Sequence, residues 1–123
     1  MKNVAIIASN FKQDRYSYKA FTLLRSKGHN VFPVAPALEE LDGIPVYKSI
    51  TEVPDIIDTV TLYMNPHWLK DVIPSIIEKK PQRVIFNPGT EAEELEQMLT
   101  KENIRVIQAC TLVLLNTGQF EGV

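Results

Sequence analysis

The chain has one cysteine, two histidines and five glycines in 123 residues, and each scarcity removes a class of protein. Cys110 alone makes no intrachain disulfide, and with His29 and His67 it forms no cluster at metal-ligand spacing. No glycine falls in the turn after the first apolar run. The G-x-G-x-x-G pattern that lets a backbone approach a pyrophosphate is therefore missing, which disfavours ordinary NAD or FAD binding. No apolar stretch nears the roughly 20 residues that span a bilayer. Lys+Arg number 13 against 15 Asp+Glu, a formal charge of -2, so the basic surplus of a dedicated nucleic-acid binder is absent. Met1-Lys2-Asn3 runs directly into a strand pattern with no signal-peptide stretch, and a cytoplasmic location is expected. No Ser/His/Asp set or pair of catalytic carboxylates can be named.

What is present is ordinary globular material: 45% hydrophobic and 23% charged residues, at a length expected to make one domain over residues 1–123. The apolar pattern switches between short continuous runs and helical spacing. Val4–Ala8 is too short for a helix and does not alternate, which suits a strand buried on both faces. Tyr16, Ala20, Leu23 and Leu24 follow on one helical face, and Gly28 supplies the stop. Similar runs recur at Asn30–Val34, Thr59–Met64, Arg83–Phe86 and Arg105–Gln108. Between them lie a short extended piece at Gly43–Tyr47 and a turn of helix that Ser49 could cap. An apolar stripe (Leu69, Val72, Ile73, Ile76, Ile77) carries Pro74, expected to kink its helix near Lys70. Another helix turns Ala92, Leu95 and Leu99 inward, with Thr90 as the expected N-cap. Leu112–Leu115 fits either an edge segment or a piece packed across the sheet. The alternation predicts an α/β fold: a Rossmann-like open parallel five-stranded sheet, order 3-2-1-4-5, with helices on both faces.

Ligands of such sheets bind outside the carboxyl ends of the strands. Here those ends carry Ser9-Asn10, Ala35-Pro36, Asn65-Pro66, Asn87-Pro88-Gly89 and Cys110-Thr111. Ser9 and Asn10 can hydrogen-bond an anion, and the helix that follows offers free N–H groups and a positive dipole end. Lys12, Arg15 and Lys19 add cationic charge nearby. His67 is the one histidine expected near this edge. As a lone residue in a first helical turn it reads more readily as surface than as a general base, and Cys110 as a buried, inert thiol.

Several pieces in this order resemble a known family: Val4–Asn10, Arg15-Tyr16-Ser17-Tyr18-Lys19-Ala20, Gly28–Pro36 and Gly43–Ser49. They look like the small stand-alone CoA-binding domain proteins, similar to the CoA-binding domain of succinyl-CoA synthetase α subunits and NDP-forming acyl-CoA synthetases. The resemblance runs from Lys2 to about Thr111. It implies that the Ser9-Asn10 turn and Arg15 hold CoA phosphates, with Lys12 nearby. Val34 and Pro36 would flank the adenine or ribose, Lys48 would neutralise a phosphate, and Asn65 and Pro66 would border the pantetheine path. Asn87 would stand at a later landmark of the site. Ala8 occupies a position where the family usually has glycine, and Ala35 one where asparagine is frequent. The Ala8 methyl is expected to stand between the turn amides and a diphosphate.

The reading that follows is a binding module for CoA or acyl-CoA without catalysis of its own. Its partner is a small molecule, and a protein partner is allowed but not identifiable. Two alternatives stand beside it. One is a small enzyme acting on a CoA thioester or nucleotide-like substrate through Cys110, His67 or Asn87. The other is a regulatory protein on a Rossmann scaffold that has lost its ligand.

Overall fold

The computed structural model describes all residues from Met1 to Val123. In chain order the elements are β1 (Asn3–Ala8), α1 (Tyr16–Ser26), β2 (Asn30–Val34), the two-residue strands β3 (Glu40–Leu41) and β4 (Ile44–Pro45), and a 3-10 turn at Ile50–Glu52. There follow β5 (Thr59–Tyr63), α2 (Pro66–Leu69), α3 (Ile73–Lys79), β6 (Arg83–Phe86), α4 (Glu93–Lys101), β7 (Arg105–Gln108), α5 (Thr111–Asn116) and a last 3-10 turn at Phe120–Gly122. Five strands form one parallel sheet in the order β2-β1-β5-β6-β7, while β3 and β4 make a small antiparallel hairpin. The fold is α/β and Rossmann-like.

The apolar run of β1 explains its central place. Val4, Ile6 and Ala8 belong to the core on one face, under α1 and α5; Ala5 and Ile7 belong to the core on the other, under α3 and α4. Val4 pairs with Val31 on one side and Thr59 on the other. Pro33 sits in β2, an outer strand where its missing N–H costs no ladder bond. Tyr47 covers part of that outer side through a parallel bridge to Val34, donating its N–H to Pro33 O at 2.9 Å.

With the extended piece at Tyr47 counted third, outside β2, the order reads 3-2-1-4-5-6 and so contains the 3-2-1-4-5 pattern. The run at Thr59–Tyr63, expected there, lies instead against β1. Chirality gives the reason. The connection after β2 carries Ile50, Val53 and Ile57, which join the core of α3 rather than that of α1. A right-handed crossover on the opposite face must run in the opposite direction across the sheet. The chain therefore steps back over β1 and continues outward through β6 and β7. The reversal puts the topological switch point between β1 and β5.

Other local expectations are met or refined. Ser49 caps the 3-10 turn, its Oγ accepting from Thr51 N. The kink ahead of Pro74 is a full break, with α2 ending at Leu69 and α3 beginning at Ile73. Thr90 does not cap α4, whose N-cap is Ala92. Its Oγ1 donates to Asn87 O instead, and Glu96 accepts from Ala92 N at 3.0 Å. On α1 the buried side chains are Ser17, Ala20, Phe21 and Leu24, whereas Tyr16 is 66% exposed. The Leu112–Leu115 run is helical and lays Leu114 and Leu115 into the α1 core.

Candidate functional site

The turn after β1 is shaped by its own polar groups. Asn10 Oδ1 accepts from Lys12 N at 3.2 Å, and Ser17 Oγ donates to Asn10 O at 2.8 Å, pinning the turn to the start of α1. Arg15 occupies the N-cap in extended conformation with no side-chain cap, so the first-turn amides of α1 have no side chain bonded to them. Ser9, Lys12 and Arg15 are exposed, and Asn10 is half-buried.

Three hollows line the carboxyl edge. The central one, about 300 Å³, lies at the switch point and is bordered by Ser9, Asn10, Arg15, Tyr63, Asn65 and Gly89 among others. The second, about 270 Å³, sits beyond the end of β2 and is bordered by Val34, Pro36, Lys48, Ser49, Met64 and Asp71. The third, about 240 Å³, lies towards α5 between Tyr16, Tyr63, Asn87, Pro88, Cys110 and Leu112. Met64 borders the first two, and Tyr16, Tyr63 and Pro88 border the first and third. The three therefore form one trough across the sheet. Lys12, Arg15 and Lys48 make no ion pair, so their charge is free to meet an anion.

The structure thus brings Ser9, Asn10, Arg15, Val34, Pro36, Lys48, Asn65 and Asn87 to one trough. Lys12 and Pro66 lie outside its three hollows: Lys12 on the exposed side of the turn, Pro66 opening α2 at a first-turn position that needs no N–H. Asn65 caps that helix through its Oδ1, which accepts from His67 N at 2.8 Å. His67 is exposed and its ring packs against Trp68. Ala8 is buried, and its methyl belongs to the core with Phe11, Ala20 and Phe21. Ala8 also borders the second hollow, together with Ala35.

Asn87 has a different role from a simple ligand contact. It is 2% exposed; its Nδ2 donates to Thr61 Oγ1 at 2.6 Å and Leu62 O at 2.8 Å, and its Oδ1 accepts from Thr111 N at 2.8 Å. Thr61 and Thr111 share a further hydroxyl bond of 2.7 Å. This clamp joins β5, β6 and α5 and forms the floor of the third hollow. Next to it the Tyr63 hydroxyl is buried beside the Thr111 and Thr61 hydroxyls. Burial pushes its pKa up to about 12, with the Thr111 and Thr61 hydroxyls opposing this only in part, so it stays neutral. The Asn87–Thr90 turn has Pro88 and positive-φ Gly89 in its second and third places, the pattern of a type II turn, and Thr90 N donates to Asn87 O.

Sequence reasoning missed Tyr16, Tyr63, Met64 and Thr90 as site-lining residues. Tyr16 was hidden because it matches the core spacing of α1. Tyr63 carried a usable signal, since it is the last polar-tipped residue of a strand whose carboxyl end faces the crevice.

An open parallel sheet with its ligand-capable groups gathered at the switch point defines a Rossmann-type binding domain. A CoA binding domain model matches residues 2–116, and the chain belongs to that family. It is 26% identical over 106 residues to the uncharacterized protein YneT of Bacillus subtilis, covering 86% of this chain and 78% of that one. It is also 26% identical to an ADP-forming acetate–CoA ligase of Methanocaldococcus jannaschii; the match covers 94% of this chain but only 18% of the ligase. Among solved structures, an uncharacterized protein aligns over 98% of both chains with 39% identity and a TM-score of 0.87. A conserved hypothetical protein from Pyrococcus furiosus aligns over 92% of this chain and 98% of its own at 26% identity, TM-score 0.83. No helix is long and apolar enough to cross a membrane.

Proposed function

We propose that the trough binds coenzyme A or an acyl-CoA, and that residues 1–123 work as one cytoplasmic binding domain with no catalysis of its own. The observation that carries this reading is the adjacency of the three hollows, which share lining residues, with unpaired Arg15 and Lys48 on their borders. Four inter-strand steps of about 4.8 Å separate β2 from β7, roughly 19 Å in all. That length suits an elongated ligand with an anionic part and an apolar part. In this reading Val34 and Pro36 flank the adenine, and Lys48 neutralises a phosphate. Ser9, Asn10 and the first turn of α1 hold the diphosphate with Arg15, and Lys12 contributes long-range attraction. Asn65 and Pro66 border the pantetheine, and Asn87 lies under its thiol end. The match to acetate–CoA ligases through this region supports the same ligand class.

Native mass spectrometry of the protein purified from cells tests the reading. The expected spectrum contains a population carrying one CoA species, lost on mild activation. A retained NAD or ATP, or an empty protein that also fails to take up added CoA, overturns it.

A further inference from the structure

The second hollow differs from the first in its balance of charge. Lys48 and Asp71 are the two charged residues on its border, and the rest are apolar side chains with Ser49 and Ser75. Lys48 follows the bridge residue Tyr47, and Asp71 lies in the break between α2 and α3. Both are exposed and neither makes an ion pair, so the carboxylate is as open to a ligand as the ammonium is. Lys70, which precedes Asp71 in sequence, does not border the hollow. The two hydroxyls are engaged within the chain: Ser49 Oγ accepts from Thr51 N, and Ser75 Oγ donates to Val72 O. Asp71 also directly precedes Val72, the N-cap of α3, and its charge offsets the positive end of that helix.

A phosphate monoester entering this space would meet one cation and one repelling carboxylate, an arrangement with little net attraction. A ribose with free 2′- and 3′-hydroxyls offers donors instead, and a carboxylate accepts them in charge-assisted bonds. Resting on the CoA reading, we propose that Asp71 is the specificity-determining residue at this end of the trough, accepting from the free ribose hydroxyls of an adenine nucleotide. The ligand class then extends to pantetheine-bearing adenine nucleotides that lack the 3′-phosphate. Val34 and Pro36 keep their place beside the adenine, and Lys48 is left to the diphosphate charge.

Isothermal titration of CoA and of 3′-dephospho-CoA into wild type and Asp71→Asn tests this. Wild type is expected to bind 3′-dephospho-CoA at least as tightly as CoA. In Asp71→Asn the repulsion of the 3′-phosphate is removed and the bond to the ribose loses its charge. The affinity ratio should therefore move towards CoA by at least about threefold. The variant should melt with wild type, since the replaced carboxylate is exposed and unpaired. A wild type that prefers CoA, or a ratio that the substitution leaves unchanged, overturns the proposal and leaves CoA binding standing. Failure of both ligands to bind wild type removes the CoA reading together with it.

Discussion

The two edges of the sheet use the same kinds of residue for opposite purposes. At the amino edge Lys2 pairs with Asp58 at 3.7 Å, and Arg83 reaches the same carboxylate at 3.9 Å. Arg83 also donates from Nε to Thr59 Oγ1 and from Nη1 to Val123 O, and its guanidinium lies over the Phe120 ring. At the carboxyl edge Arg15 and Lys48 have no acidic partner. Hollow size does not separate the edges, because spaces of about 450 and 420 Å³ occur beside His29 and beside Asp58. Arg25 and Lys80, which border those two hollows, also make no ion pair, so the contrast rests on Lys2 and Arg83 at one edge and Arg15 and Lys48 at the other. Cations already neutralised hold the fold, and cations left open are available to a ligand.

Arg83 is 1% exposed, so Arg83→Ala leaves a cavity beside Phe120 and removes one of the two cations at Asp58, and should cost about 3 kcal/mol of stability. Chemical denaturation reads the loss, and CoA affinity at a temperature where the variant is folded should stay close to wild type. Asn87→Ala removes the clamp between β5, β6 and α5 and leaves Thr111 N–H and Leu62 C=O short of partners. A loss of about 2 kcal/mol is expected in the same assay. An Asn87→Ala protein of full stability would show that Asn87 is a ligand group and not a structural one.

A smaller effect belongs to His29, 8% exposed, whose Nδ1 accepts from Lys2 N at 3.0 Å while its ring packs on Phe120. Burial lowers its pKa below the ordinary 6.5, and Glu121 opposes this only in part. The unfolded chain therefore binds a proton that the folded chain resists. This contribution is intact above about pH 6.5 and is lost as pH falls below it, at up to about 1.4 kcal/mol per pH unit. Thermal melts from pH 7.5 to 5 should show this slope in the wild type. His29→Asn keeps an acceptor but carries no titrating group, and should flatten it.

Ala8→Gly has the smallest expected effect. The methyl lies in the α1 core, and glycine adds unfolded-state freedom, so a stability loss of about 0.4–1 kcal/mol is expected. Tightened CoA binding in that variant would show that the methyl does hinder the ligand. Unchanged binding is the outcome its burial favours.

Much of this was legible from residue pattern. Continuous apolar runs such as Val4–Ala8 mark strands buried on both faces, and all five long strands sit where those runs fall. The place of β5 was not legible, because it depends on which face the irregular stretch 35–58 covers. Ile50, Val53 and Ile57 hold that information, but their spacing names no face. Tyr16 fits the helical stripe by spacing alone, yet the first turn of α1 projects beyond the core it would have joined. Leu112–Leu115 is too short for periodicity to separate strand from helix. At the site, the polar strand ends pointed to the trough. That Asn87 spends its amide on Thr61, Leu62 and Thr111 follows only from tertiary placement.

In the proposed function, the unpaired charge of Arg15 and Lys48 at the carboxyl edge serves a phosphorylated ligand. CoA titrated calorimetrically into wild type, Arg15→Ala and the Arg15→Ala/Lys48→Ala double variant, with melting temperatures measured on the same samples, tests it most directly. Wild type should bind with micromolar-range affinity, roughly -8 kcal/mol. Arg15→Ala should lose about 1–3 kcal/mol of this and the double variant more, as charge-assisted phosphate bonds are removed. Melting temperatures should hold, since exposed and unpaired cations contribute within about 0.5 kcal/mol to stability. A double variant that binds CoA as well as wild type, or one that loses stability along with affinity, would contradict the account.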